Sequence, residues 1–152
     1  MEVSDNISES PVEEVSKDWI DYNGHMNVAY YTFAFDRAID FFLETKLGIG
    51  PTHVKNENQG PYSLQANYHY LQELKLGDKF NTKIFIIDAD KKRIHLALEM
   101  LSFLNRAKVA IYETVLINVD LNCRKSTEYP EWAQKKIFEY KNACYGLALP
   151  KE

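Results

Sequence analysis

The sequence predicts an α+β fold in which a curved antiparallel sheet wraps around one long central helix at about residues 28–47. Three observations predict it. Residues 28–47 are apolar or aromatic almost all the way round, with one narrow polar stripe of Thr32, Asp36, Asp40 and Glu44 recurring every four positions. From residue 62 onward the hydrophobic period changes to two. The alternating stretches are joined by short turns, which impose antiparallel neighbours. A sheet with one apolar face must cover something, and the helix is the only large apolar object available.

Each element has its own signal. Residues 1–11 read as a flexible acidic lead-in, and 12–152 as a single domain closed by a C-terminal helix. A first short strand is expected at 12–15. The loop Asp21-Tyr22-Asn23-Gly24-His25-Met26-Asn27 precedes the long helix, and Asn27 suits the N-cap because its side-chain oxygen can accept from an orphan helical N–H. Gly48 and Pro51 stop the helix, and the Gly/Pro/Asn-rich stretch 50–61 reads as loop. Residues 62–74 then alternate, with Leu64, Ala66, Tyr68 and Tyr70 on one face and Ser63, Gln65, Asn67 and His69 on the other. Leu76-Gly77-Asp78 makes a turn before a strand at 80–88. Ala89-Asp90-Lys91-Lys92 is a hairpin turn into a strand at 94–103, with Ile94, Leu96, Leu98 and Met100 in phase. After Asn105-Arg106 the last strand, 109–121, is expected to point Val109, Ile111, Val115, Ile117 and Val119 at the core. That phase puts Glu113 on the core face, where a carboxylate needs a bulge, a Lys or Arg partner, or a pocket to line. Residues 130–144 read as the C-terminal helix.

Composition excludes several classes of function. A net charge of −4, from 18 basic and 22 acidic residues, gives no support to nucleic-acid binding. Asp36, Arg37, Asp40 and Glu44 make the long helix too polar for a membrane span. The first twelve residues lack the apolar run of a signal peptide. Cys123 and Cys144 are too few for a disulfide scaffold, and reduced thiols in a cytoplasmic protein are the simplest account. His53, His69 and His95 show no paired ligand spacing, so no metal site is expected.

The loop 21–27 carries the chemistry. It packs a carboxylate, an imidazole and two side-chain amides at the mouth of a helix, where free N–H groups and the positive end of the helix dipole lie. A carboxylate beside such donors suits attack on a carbonyl, or activation of water against one. By spacing alone Asp21 reads first as a loop carboxylate, His25 as a structural ring, and Asn23 and Asn27 as turn and cap residues. Tyr30, Tyr31, Phe33 and Phe35 read first as core; an aromatic cage for a quaternary ammonium group is the sharper alternative.

Asp-x-x-Gly-His-x-Asn leading into a long helix resembles hot-dog acyl-CoA thioesterases of the 4-hydroxybenzoyl-CoA type, over roughly residues 12–122. Tyr70-Leu71-Gln72-Glu73-Leu74 and then Gly77-Asp78 resemble that family's second strand and turn. Trp19-Ile20-Asp21-Tyr22-Asn23-Gly24-His25-Met26 is similar to the thioesterases of carnitine and betaine breakdown, which act on betainyl-CoA. The resemblance implies hydrolysis of a short or polar acyl-CoA without a cofactor. It implies that Asp21 is nucleophile or general base, that the backbone N–H near Val28 polarises the thioester carbonyl, and that Asn23 and His25 assist. Gly24, Asn27, Tyr31 and Asp36 are expected against the substrate, with Lys91, Lys92 or Arg93 as candidates for the CoA phosphates. A homodimer or dimer of dimers is expected, pairing through the exposed edge of strand 62–74. The rivals are a hot-dog enoyl-CoA hydratase or dehydratase and a non-catalytic acyl-CoA-binding module. Asp21 and His25 lie four apart with Gly24 between them, unlike the five-residue, proline-containing hydratase pattern.

Overall fold

In the computed structural model, which describes residues 8–143, the long helix packs against one face of a seven-stranded antiparallel sheet. The strands are β1 (Ser8–Glu9), β2 (Glu13–Glu14), β3 (Gln59–Tyr70), β4 (Lys79–Ala89), β5 (Arg93–Ser102), β6 (Lys108–Asp120) and β7 (Lys125–Ser126). The helices are α1 (Val28–Phe42), α2 (Pro51–Glu57) and α3 (Glu131–Ala143). The sheet order is β1-β4-β5-β6-β3, with β2 also on β4 and β7 also on β6.

The long helix runs as expected. Its α-helical part, Val28–Phe42, continues as a π-helical turn, Leu43–Leu47, and Gly48 ends it in the left-handed region at φ 73°. Tyr31, Ala34, Phe35, Ala38, Ile39 and Phe42 form the buried face, at the three- and four-residue spacing of one helical stripe. Thr32, Asp36, Asp40 and Glu44 are exposed. Phe33 departs from the expected core set: it is 44% exposed, with the Arg37 guanidinium 5.4 Å from its ring centre. Across from α1 the sheet supplies Phe80, Ile84 and Ile86 from β4 and Ile94, Leu96, Leu98 and Met100 from β5. Ala133 and Ile137 of α3 close the same core.

Four elements differ from the sequence reading. The first strand, expected at 12–15, is two two-residue pieces laid along the edge of β4, and ordered pairing begins already at Ser8. The expected lead-in at residues 1–11 otherwise falls on residues 1–7, outside the described residues, as does Cys144 at the end of the expected last helix. The stretch 50–61 holds a helix: Pro51 sits at its first turn, where its missing N–H is no loss, so it starts α2 as well as barring continuation of the helix before it. The strand expected at 62–74 spans Gln59–Tyr70 instead, with a register shift at Ser63/Gln65 that places Leu64 in a bulge.

The fourth difference is the phase of β6. Ala110, Tyr112 and Leu116 point into the core, and Ile111, Val115 and Ile117 lie on the opposite face. Both faces of this strand are apolar, so period two alone does not choose between them. Glu113 therefore stands on the outer face, and its partner is a histidine: a Glu113 carboxylate oxygen and His95 Nε2 are 2.5 Å apart.

The two sheet edges are unequal. β1 and β2 cover the outer edge of β4, whereas β3 has no strand on its outer side among the described residues. Among the described residues no helix is long and apolar enough to cross a membrane.

If the sheet is held by burial of α1, truncating its central ring should be severe. Phe35 is fully buried, and Phe35→Ala is expected to destabilise the fold by about 3–5 kcal/mol. Leu104→Ala, at a residue 93% exposed, is expected to change stability by less than about 0.5 kcal/mol. Denaturant unfolding of the two variants checks this.

Candidate active site at the start of the long helix

The loop before α1 is a closed hairpin rather than a loose connection. Ile20 and Met26 form an antiparallel bridge. The Asp21 N–H donates to the His25 carbonyl at 3.1 Å, and the Gly24 N–H donates to the Asp21 carbonyl at 3.0 Å. Gly24 has φ 84°, a conformation that strains any side-chain-bearing residue. The Met26 side chain is fully buried, and its N–H donates to the Leu74 carbonyl at 2.7 Å. The Asn27 N–H donates to the Trp19 carbonyl at 2.8 Å, and Trp19 stacks on Tyr30 of the helix. The hairpin is thus fastened on both sides and cannot swing freely from the helix start.

Within this frame Asn27 is the helix cap: its Oδ1 accepts from the Ala29 N–H at 2.9 Å, and its carbonyl accepts from the Tyr30 N–H. Those bonds leave the Val28 N–H without an acceptor among the described residues, at a position 57% exposed. Asp21 is half-buried, and its Oδ1 accepts from the Asn23 N–H at 2.8 Å. Its Oδ2 accepts no hydrogen bond among the described residues. His25 Nδ1 lies 3.3 Å from the Met26 carbonyl.

A cleft of about 240 Å³ opens at this helix start. His25, Val28 and Tyr31 line it from the motif side, and Tyr70, Leu71, Gln72 and Glu73 from the end of β3. A larger hollow of about 380 Å³ adjoins it and shares Gln72 and Glu73. Tyr31 joins the two sides: its hydroxyl accepts from the Leu74 N–H at 3.1 Å and donates to the Gln72 carbonyl at 3.4 Å. Burial raises the Tyr31 pKa above its ordinary value. The Leu74 hydrogen bond lowers it, and the negative charges of Glu73 and Asp78 raise it further.

Of the residues expected at the site, His25, Val28 and Tyr31 line the cleft, while Asp21, Asn23, Gly24 and Asn27 build the hairpin that flanks it. Asp36 stands apart: it is exposed on the polar stripe, just over two helical turns from Val28, and lines no part of the cleft. Lys91, Lys92 and Arg93 border a different hollow at the far end of the sheet. Val109 holds the Leu71 end of β6 and Lys92 the Asn118 end, so about 30 Å of strand separates them from the cleft within one chain. The second wall, Tyr70–Glu73, was not among the named site residues. Its residues stood out as a motif but were assigned to strand, and strand periodicity does not show that the chain leaves the sheet at Leu71 to face the helix.

A long helix held against an antiparallel sheet, with a carboxylate-bearing hairpin and a small cleft at its start, defines a hot-dog protein. Residues 15–137 match the thioesterase-like superfamily, and the chain belongs to it. It is 27% identical over 124 residues to the L-carnitine dehydrogenase/betainyl-CoA thioesterase of Rhizobium meliloti, covering 82% of this chain and 25% of that one. It is 23% identical over 137 residues to the betainyl-CoA thioesterase of Pseudomonas aeruginosa, covering 90% and 86%. The chain thus spans about a quarter of the bifunctional relative and most of the single-function one. Among solved structures, a Staphylococcus aureus protein in complex with CoA is similar at a TM-score of 0.87 and 26% identity, covering 95% of this chain and 90% of that one.

The Tyr31 tether is testable by itself. Tyr31→Phe keeps the ring and removes the acceptor of the buried Leu74 N–H, and a buried donor left unpaired costs about 1–3 kcal/mol. Thermal unfolding should show that loss, with faster hydrogen exchange at the Leu74 amide. An unchanged unfolding midpoint and unchanged exchange would mean that the contact does not hold the cleft wall.

Proposed function

We propose that the protein is an acyl-CoA thioesterase that hydrolyses a short or polar acyl-CoA, betainyl-CoA foremost, to the free acid and CoA. The observation that carries this reading is the free Val28 N–H at the mouth of the cleft, next to a hairpin whose Asp21 keeps one carboxylate oxygen unbonded among the described residues. In the proposed reaction the Val28 N–H and the positive end of the helix dipole stabilise the oxyanion that forms when the thioester carbonyl is attacked. Asp21 either takes a proton from the attacking water or attacks directly to give an anhydride that water then opens. In both routes the C–S bond breaks and the thiolate leaves as CoA. The imidazole of His25 borders the cleft and orients the substrate or water.

Acyl size is supported by the cleft, since about 240 Å³ suits a short group better than a long chain. Betainyl-CoA is supported by the relatives of that name. A cytoplasmic setting is supported by Cys123, an exposed thiol with no disulfide partner among the described residues.

The reading includes a homodimer, which can pair further into a dimer of dimers. The edge of β3 is open, and Tyr62, Leu64, Tyr70 and Leu71 expose apolar surface along it. Antiparallel pairing of two such edges satisfies both. Such pairing sets the 91–93 end of one sheet beside the cleft end of the other, which supports Lys91, Lys92 and Arg93 as candidates for the CoA phosphates.

Asp21→Asn keeps size and removes the basic oxygen, so thioester cleavage should fall by about 10²–10⁴-fold with the fold intact. Release of CoA thiol from a panel of acyl-CoA esters measures it; more than half the activity remaining would remove Asp21 from the mechanism. Light scattering at micromolar concentration should return at least twice the mass of the 17.7 kDa chain, and the mass of one chain would contradict the paired edge.

A further inference from the structure

The charges that border the cleft are one-sided. Of the residues that line it, Glu73 is the only acid, and neither lysine nor arginine is among them. Its nearest cation is Lys75, with Nζ 3.5 Å from Glu73 Oε1, and both side chains are more than half exposed. Such a surface pair is weak and readily parted. The wall beside Glu73 is aromatic. Tyr70 is 48% exposed, meets Tyr31 edge to face at 5.3 Å, and is backed by the parallel ring of Tyr68 at 5.9 Å. Glu73 stands near enough to Tyr31 that its negative charge adds to burial in raising the Tyr31 pKa. A carboxylate and a π-face are the two groups that attract a cation lacking hydrogen-bond donors. The same field repels an acyl group that ends in a carboxylate.

We propose that Glu73 is the specificity-determining residue of this cleft: its carboxylate, with the ring of Tyr70, selects acyl groups that carry a positive charge over neutral groups of the same shape. The inference rests on the acyl-CoA hydrolysis reading and adds what the acyl end must be. Glu73 does not touch the reacting carbonyl in this account, because the Val28 N–H and Asp21 act there. Its effect is on recognition of the head group. The CoA phosphates, being anionic, lie on the side of the cleft away from Glu73.

The test compares betainyl-CoA with 3,3-dimethylbutanoyl-CoA, in which a carbon replaces the quaternary nitrogen, so that shape is kept and only charge is lost. The full-length protein should cleave betainyl-CoA with a kcat/KM at least about tenfold higher. Glu73→Gln should lower the betainyl value about tenfold more than the neutral value, and abolish most of the preference. Cleavage of the neutral thioester serves as the internal control for folding. Equal values for the two substrates in the unmodified protein would overturn the inference and leave the thioesterase reading standing. An equal loss on both substrates in Glu73→Gln, with the circular dichroism spectrum unchanged, would also overturn it. Failure of the unmodified protein to cleave either thioester would overturn the hydrolysis reading itself, and this inference with it.

Discussion

The structure turns on a helix that must be hidden along its length and left open at its start. Tyr31, Phe35, Phe42, Leu43 and Leu47 are almost entirely removed from water, which requires a sheet long enough to cover about five turns of helix. The same burial decides where chemistry can occur. A helix packed this closely offers unpaired polar groups only at its ends. At the C-terminal end Gly48 turns the chain back, and its N–H donates to Leu43. At the N-terminal end Asn27 satisfies Ala29 and Tyr30 but not Val28. The Val28 N–H is thus left without an acceptor among the described residues, at a residue that lines the cleft.

Around that donor the protein spends its local order on rigidity. The hairpin is closed by bonds within itself, fastened to Leu74 and Trp19 from outside, and anchored by the buried Met26. Tyr31 ties the helix to the chain that leaves β3. Positioning a carboxylate and an N–H relative to each other before substrate arrives lowers the cost of reorganisation during reaction. The rest of the cleft has a different character, with the rings of Tyr31 and Tyr70 and the single carboxylate of Glu73. The edge of β3, which no strand covers among the described residues, runs into the cleft wall at Tyr70.

Sequence patterns revealed the parts governed by local rules. The long helix showed in its single polar stripe, its cap in Asn27, and the inward face of β5 in Ile94, Leu96, Leu98 and Met100, which alternate with more polar neighbours such as His95 and Glu99. The parts that depend on the third dimension did not show. β6 is apolar on both faces, so Glu113 was assigned inward and is found outward on His95. Pro51 reads as a stop whether or not a new helix begins there. Asp36 lies on the same helix as Val28 and Tyr31, but helical phase carries it to the exposed stripe, away from the cleft. Tyr70–Glu73 has the composition of a strand end, and only the departure of the chain from the sheet makes it a wall.

The central claim is that the start of α1 is where the thioester carbonyl sits. A crystal structure with a carba analogue of an acyl-CoA, in which a methylene replaces the sulfur and the carbonyl is kept, tests it most directly. The carbonyl oxygen is expected within hydrogen-bond distance, about 3 Å, of the Val28 N–H, with the Asp21 carboxylate or a water bound to it facing the carbonyl carbon. An analogue bound with its carbonyl elsewhere, against the outer face of the sheet or in the hollow by Lys91 and Lys92, would contradict it.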